Sequence, residues 1–169
     1  MKRTKKLVIS ALFAALAFVA TRFFAFSLPT GYANLGDCFA FLAGFILGGP
    51  WGAAAAGIGI ALADILSPYT IYAPATFIIK AFIALCGTFA AKHSVNKKGW
   101  IAIIAALSLL GEVMMVLGYF FFESVFLNVG TAAVASVPGN LTQAAVGVVT
   151  STLLAVVFTK NKRLKELIK

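Results

Sequence analysis

Several polar and ionisable side chains lie inside long apolar segments of this chain, where such groups are costly and are usually kept for a function. Carboxylate, ammonium and amide groups can hydrogen-bond a small polar ligand, and tyrosines can pack against an aromatic ring. Together they predict a ligand-binding site rather than a lipid-facing surface. The candidate substrate-binding residues are Asn34, Asp37, Asp64, Tyr72, Lys80, Glu112, Tyr119, Asn140 and Gln143.

The composition places these residues in a membrane protein. The chain has 169 residues, of which 62% are hydrophobic and 11% are charged, whereas soluble domains carry roughly 25% charged residues. Several long runs contain no charge at all, and the longest covers residues 124–159. Residues 1–169 are therefore predicted to form a single domain of an integral α-helical membrane protein.

Three basic clusters, at residues 2–6, 92–98 and 160–165, indicate where the chain turns on the cytoplasmic side. A spanning helix needs about 20 apolar residues, and Gly48-Gly49-Pro50 divides the long stretch 35–67 into a helical hairpin. Six spans keep both later clusters inside, whereas five would place them outside. The prediction is an all-α bundle of six transmembrane helices with cytoplasmic N- and C-termini. The spans are about 7–26, 35–48, 52–67, 74–91, 100–122 and 138–159.

With this topology nearly all embedded polar residues fall in the outer half of the membrane. Glu112, Tyr119 and Glu123 follow helical spacing on one stripe of the fifth span, and Asn140 and Gln143 are three residues apart on the sixth. A through-going channel needs polar lining in both halves. The pattern instead predicts a pocket that is open to the outside and closed below.

Each candidate also has a purely structural alternative. Asp37 and Asp64 can cap or pair at helix ends, Lys80 can pair with Asp64 or Glu112 without touching a ligand, and the amide pair on the sixth span can bond neighbouring helices. Arg22 is expected to extend to the outer interface. These alternatives stay open at the level of the sequence.

Small and aromatic residues add two expectations. Ala11 and Ala15 are four residues apart on the first span, a spacing that allows close helix approach, with internal packing as the default interpretation. Tyr32, Tyr69 and Tyr72 fall in outer loops and could form a lid over an aromatic ligand.

Enzymatic and metal-dependent functions find no support in the sequence. There is no G-x-S-x-G or H-E-x-x-H motif, and the only histidine, His93, lies in a basic loop. Cys38 and Cys86 do not have the spacing of a metal site. No metal, cofactor or nucleic-acid partner is predicted. A self-sufficient secondary transporter or channel, acting as a dimer with Glu112 as a proton site, remains an alternative.

Four segments together resemble the substrate-binding S-components of energy-coupling factor (ECF) vitamin transporters. They are residues 34–37 (NLGD), 48–52 (GGPWG), 61–64 (ALAD) and 72–80 (YAPATFIIK), and the similarity extends to residues 112–123 and 140–143. Residues 34–37 and 74–80 are most similar to the branch for hydroxymethylpyrimidine or pyridoxine-type vitamins, with riboflavin and pantothenate carriers next.

The resemblance implies a six-helix bundle in the bacterial plasma membrane, with a vitamin pocket on its extracellular side. It also implies docking on a transmembrane coupling subunit through an alanine motif that falls on Ala11 and Ala15, and two cytoplasmic ATPase subunits. In agreement, the chain has no nucleotide-binding G-x-x-x-x-G-K-[ST] motif. Because embedded acids outnumber embedded bases, a neutral or weakly basic heterocycle is expected rather than an anion.

Overall fold

The computed structural model describes residues 3–28, 31–94 and 98–161. They form a bundle of six α-helices with one short β-hairpin. The helices are α1 (Arg3–Phe23), α2 (Gly36–Leu47), α3 (Gly49–Ile65), α4 (Ala73–Ser94), α5 (Trp100–Phe121) and α6 (Val137–Lys160). The predicted six-helix membrane bundle is confirmed at this level, whereas the number of spans and the side of each terminus stay predictions.

Two short strands follow α1 in place of the loop expected from the sequence. Helix α1 ends at Phe23, three residues before the predicted limit of the span, and β1 (Ala25–Leu28) pairs antiparallel with β2 (Gly31–Asn34). Short helical turns cover the same end of the bundle, at Thr70–Tyr72, Phe122–Phe126 and Gly130–Ser136. We call this end of the bundle the hairpin end, and the opposite one the basic end.

A single residue, Gly48, separates α2 from α3. Its φ is 70° and that of Gly49 is 50°, which are conformations that glycine adopts without strain. Pro50 lies in the first turn of α3, where its missing N–H costs nothing. The Gly49 N–H donates to Thr88 Oγ1 at 3.0 Å, so the turn is also held by α4.

Helix α4 lies at the centre of the bundle and packs against α2, α3 and α5, while α1 covers α2 and α3, and α6 covers α5 and α2. Among the described residues, four helical segments are long and apolar enough to cross a membrane alone: Arg3–Phe23, Thr70–Ser94, Trp100–Phe126 and Gly130–Lys160. Helices α2 and α3 are shorter apolar helices. Nearly all of α2 is buried inside the bundle, so its polar residues face protein rather than lipid.

Candidate functional site

A cavity of about 160 Å³ lies at the hairpin end. Since a cavity needs about 10–15 Å³ to hold one water molecule, this cavity has room for a small organic molecule. Seven of the nine predicted site residues line it, namely Asn34, Asp64, Tyr72, Lys80, Tyr119, Asn140 and Gln143. The lining residues outside the nine candidates are Thr21, Ile60, Tyr69, Thr76, Glu123, Ser136 and Gly139, of which Tyr69 was predicted as part of a lid.

A buried network of hydrogen bonds, which we call the Asp37 network, joins α2, α4, α6 and β2 beside this cavity. Lys80 Nζ lies 2.6 Å from Asp37 Oδ1 in an ion pair, and Gln143 Nε2 donates to Asp37 Oδ2 at 2.6 Å. Asn34 Nδ2 donates to Gln143 Oε1 at 3.1 Å, and Asn34 Oδ1 accepts from the Gly36 N–H at 2.8 Å. Each of these side chains thereby fixes the orientation of the next.

The partner of Lys80 differs from both acids considered in the sequence analysis. Asp37 holds the ammonium group, not Asp64 or Glu112. The same ammonium lies 3.1 Å from Met115 Sδ and 5.3 Å from the centroid of the Tyr119 ring. Lys80 is only 1% exposed, so this pairing compensates a charge that would be very costly if left alone.

Asp64 is held by the neighbouring helix and keeps one oxygen available. Thr76 Oγ1 donates to Asp64 Oδ2 at 2.5 Å and lies 3.0 Å from the Tyr119 hydroxyl. Among the described residues, no side-chain hydrogen bond to Asp64 Oδ1 is formed. This second oxygen is an acceptor that a ligand in the cavity can use.

Tyrosines form one wall of the cavity. The rings of Tyr72 and Tyr119 have centroids 6.2 Å apart at 62°, and Tyr69 and Phe122 pack on the other sides of Tyr72 at 6.2 and 5.7 Å. These edge-to-face arrangements make a rigid aromatic surface that suits a planar ligand. Of the proposed lid, Tyr69 and Tyr72 are at the cavity, whereas the side chain of Tyr32 lies outside the described residues.

Glu123 connects two of the segments that cover the cavity. Its Oε1 accepts from the Tyr72 hydroxyl at 3.3 Å and its Oε2 accepts from Ser136 Oγ at 2.5 Å. The helical stripe that includes Glu112 and Tyr119 already contained Glu123, so this contact had a signal in the sequence. Thr76 lies within segment 72–80 but was not singled out there, and Thr21 and Ser136 had no signal in the sequence.

Two predicted site residues do not line the cavity. Asp37 is fully buried behind Lys80. Glu112 is 1% exposed and lies against Gly147, and neither of its carboxylate oxygens has a hydrogen-bond partner among the described residues. It also borders an apolar groove between α5 and α6. The structure therefore separates Glu112 from the seven residues that the cavity brings together.

The alanines predicted to dock a partner are exposed on the outer face of α1, as is Arg22. Ala17 and Ala20 face inward instead and are buried. Internal packing, the default interpretation of Ala11 and Ala15, is therefore wrong for this pair.

Comparison with known families identifies the class of protein to which this bundle and cavity belong. Residues 1–160 match the family described as "ECF-type riboflavin transporter, S component". The chain therefore belongs to the S-component family of ECF transporters, and it is the substrate-specific, multi-pass subunit of such a transporter in the cell membrane. A search of curated proteins found no match.

The match bears on several predictions at once. It confirms the S-component class and does not confirm the hydroxymethylpyrimidine or pyridoxine branch. The family is one of transporters rather than enzymes. Membership implies association with the ECF transmembrane coupling and ATPase components and with a small-molecule vitamin.

Proposed function

We propose that the cavity at the hairpin end binds a neutral or weakly basic aromatic vitamin, with riboflavin as the first candidate. The family description names riboflavin, and the tyrosine wall offers a surface for a planar ring. Hydroxymethylpyrimidine or pyridoxine is the second candidate, favoured by the resemblance of residues 34–37 and 74–80. The observation that carries the proposal is the cavity itself, in which aromatic side chains and unused polar groups converge.

Two polar side chains are proposed to contact the vitamin directly. Asp64 keeps one oxygen available, and the Asn140 amide lines the cavity without a side-chain hydrogen bond to any other described residue. Asn34 and Gln143 already bond each other, so they are proposed to shape the cavity more than to recognise the ligand. Glu112 is left out of the contacts because it does not line the cavity.

The charges around the cavity support an uncharged ligand. Asp64 and Glu123 are acids on its lining, and the one base, Lys80, is already paired with Asp37. A carboxylate or phosphate on the ligand would meet uncompensated negative charge at short range in a site of low dielectric. Pantothenate, an anion, is accordingly disfavoured.

We further propose that the hairpin end faces the outside and the basic end faces the cytoplasm. Positively charged segments stay inside, and Lys92, Lys98 and Lys160 belong to the basic end. Of the described basic residues at helix ends, only Arg22, in the last turn of α1, lies at the hairpin end. The vitamin then enters between the covering segments. Release to the cytoplasm follows when ATP-driven partners reorient the bundle.

Docking of the coupling subunit is proposed on the exposed face of α1 that carries Ala11 and Ala15. Two leucines in their place should block close helix approach. We expect Ala11→Leu with Ala15→Leu to abolish uptake in cells that carry the complete transporter, while the purified variant still binds vitamin. Ala102→Leu, on an exposed position of α5, is the matched control and should transport normally. Loss of binding in the double variant would contradict this assignment.

The central test is direct binding of riboflavin and pyridoxine to the purified protein, measured by calorimetry and, for riboflavin, by quenching of flavin fluorescence. Tight binding of one of them is expected, and Asn140→Ala should weaken it. Failure to bind any flavin, pyridine or pyrimidine vitamin would refute the proposal. Uptake by this chain alone, in vesicles without ATPase subunits, would favour the secondary-transporter alternative.

A further inference from the structure

Lys80 borders the cavity, and its charge is compensated by a residue outside the cavity lining. The side chain lines the cavity, yet its ammonium is 2.6 Å from a carboxylate that does not line it, that of Asp37. Asp37 is 0% exposed. Its carboxylate cannot turn away, because Gln143 Nε2 holds the second oxygen at 2.6 Å. Lys80 is thus part of the cavity lining, whereas its counter-ion is not.

This arrangement has a consequence for the ligands that the cavity accepts. A lone buried ammonium group attracts an anion strongly, since little solvent screens it. An ammonium paired at contact distance presents only a dipole, whose field decreases more steeply with distance. The nearby acids Asp64 and Glu123 then dominate the field on the lining.

We propose that Asp37 is the residue that sets the charge selectivity of the cavity. By neutralising Lys80 it lets the cavity accept an uncharged vitamin and reject the phosphorylated form of the same vitamin. Asp37 is a positioning residue here, since it acts through Lys80 and does not touch the ligand. The inference rests on the proposed function, because it concerns the same cavity.

The decisive variant is Asp37→Asn, which keeps an oxygen for Lys80 and removes the charge. The measurement is the ratio of the Kd of riboflavin 5′-phosphate to that of riboflavin. We expect this ratio to fall by about tenfold or more, which is 1.4 kcal/mol of altered discrimination. The double variant Asp37→Asn with Lys80→Met removes both charges and should return the ratio to the wild-type value.

A purely structural role of Asp37 predicts a different result. Damage to the cavity would weaken both ligands together and leave the ratio unchanged, and that outcome would overturn the proposal. Glu112→Gln is the matched control, since it replaces a buried carboxyl group that is not the ion-pair partner of Lys80. Its ratio should change by less than about threefold. An equal shift in both single variants would contradict a specific role of Asp37.

A second measurement needs no vitamin. Inorganic phosphate should raise the Tm of ligand-free Asp37→Asn, because an uncompensated Lys80 can bind it, and should leave the wild type and the double variant unaffected. If no flavin, pyridine or pyrimidine vitamin binds the wild type, the proposed function fails, and this phosphate titration alone decides the role of Asp37. If Asp37→Asn does not fold, Lys80→Met tests the same idea in reverse and should reject riboflavin 5′-phosphate more strongly than the wild type. An unchanged ratio there would refute it.

Discussion

Gly44 of α2 lies directly against the backbone of α4, and replacing it with alanine tests how closely the two helices must approach. A Cβ at this position would lie 1.6 Å from the Ala84 carbonyl oxygen and 2.4 Å from its carbon. Ordinary contact begins at 3.4 Å, so the helices would have to separate by about 1.8 Å at this level. The obstacle is backbone on both sides, and no side chain can rotate to relieve it.

The expected cost follows from these distances. Overpacking of a tight core costs about 1–3 kcal/mol and sometimes more. Separation also strains the hydroxyl of Thr88, which lies 3.1 Å from the Gly44 carbonyl and 3.0 Å from the Gly49 N–H, and a lost hydrogen bond costs about 1 kcal/mol. The better helix propensity of alanine returns up to about 1 kcal/mol. We therefore expect a net loss of about 1–3 kcal/mol, which lowers Tm by roughly 2–12 °C in a chain of this size.

Thermal unfolding in detergent can be followed with a thiol-reactive dye, because Cys38 and Cys86 are each only 3% exposed in the folded protein. Gly111→Ala on α5 is the matched control, since a Cβ there meets its nearest atoms at 3.5 Å. The control should melt at or above the wild-type temperature. If Gly44→Ala melts within about 2 °C of the control, close approach of α2 and α4 is not needed and the reasoning fails.

Three further predictions concern the cavity and its neighbourhood. Tyr72→Phe removes one hydrogen bond to Glu123, so vitamin should dissociate about two- to fivefold faster with little change in Tm. Stopped-flow measurements would show this change, and an unchanged rate would mean that the hydrogen bond does not help to close the cavity. Asn140→Ala should weaken vitamin binding about two- to tenfold at constant Tm, and a lower Tm would instead identify a structural role. Gly147→Ala places a Cβ 2.0 Å from Glu112 Oε1 and should destabilise the fold by about 1–2 kcal/mol; combination with Glu112→Ala should recover most of this loss, and strict additivity in denaturation would refute the clash.

The helices were the most predictable part of the fold, because the thickness of the membrane sets the length of an apolar run and the cytoplasmic side attracts the positive charges. The turn at Gly48 was equally accessible, since proline and adjacent glycines act locally. The β-hairpin could not be predicted from the sequence. Strand formation at residues 25–28 depends on the partner strand at 31–34, and such pairing is weakly encoded in a single short segment.

In the candidate site too, features set by local helical spacing were predictable, whereas features set by tertiary packing were not. Helical spacing correctly grouped Tyr119 with Glu112 on one face of α5, but it could not tell at which depth the cavity ends. These residues are seven positions apart, about 10 Å along the helix, and only Tyr119 lines the cavity. The choice of Asp37 over Asp64 as the partner of Lys80 depends on the rotation of α2 and α3 about their axes, which sequence periodicity does not set.

The Asp37 network can form only after most of the chain has been synthesised. Gln143 is 109 residues from Asn34 and 106 residues from Asp37, and it lies on α6, which is synthesised after the other five described helices. Until α6 inserts, the amide and carboxylate of the early segments lack the partner that orients them. If the cavity is the vitamin site proposed above, binding arises only once α6 is in place, and a chain interrupted before residue 137 is expected not to bind ligand.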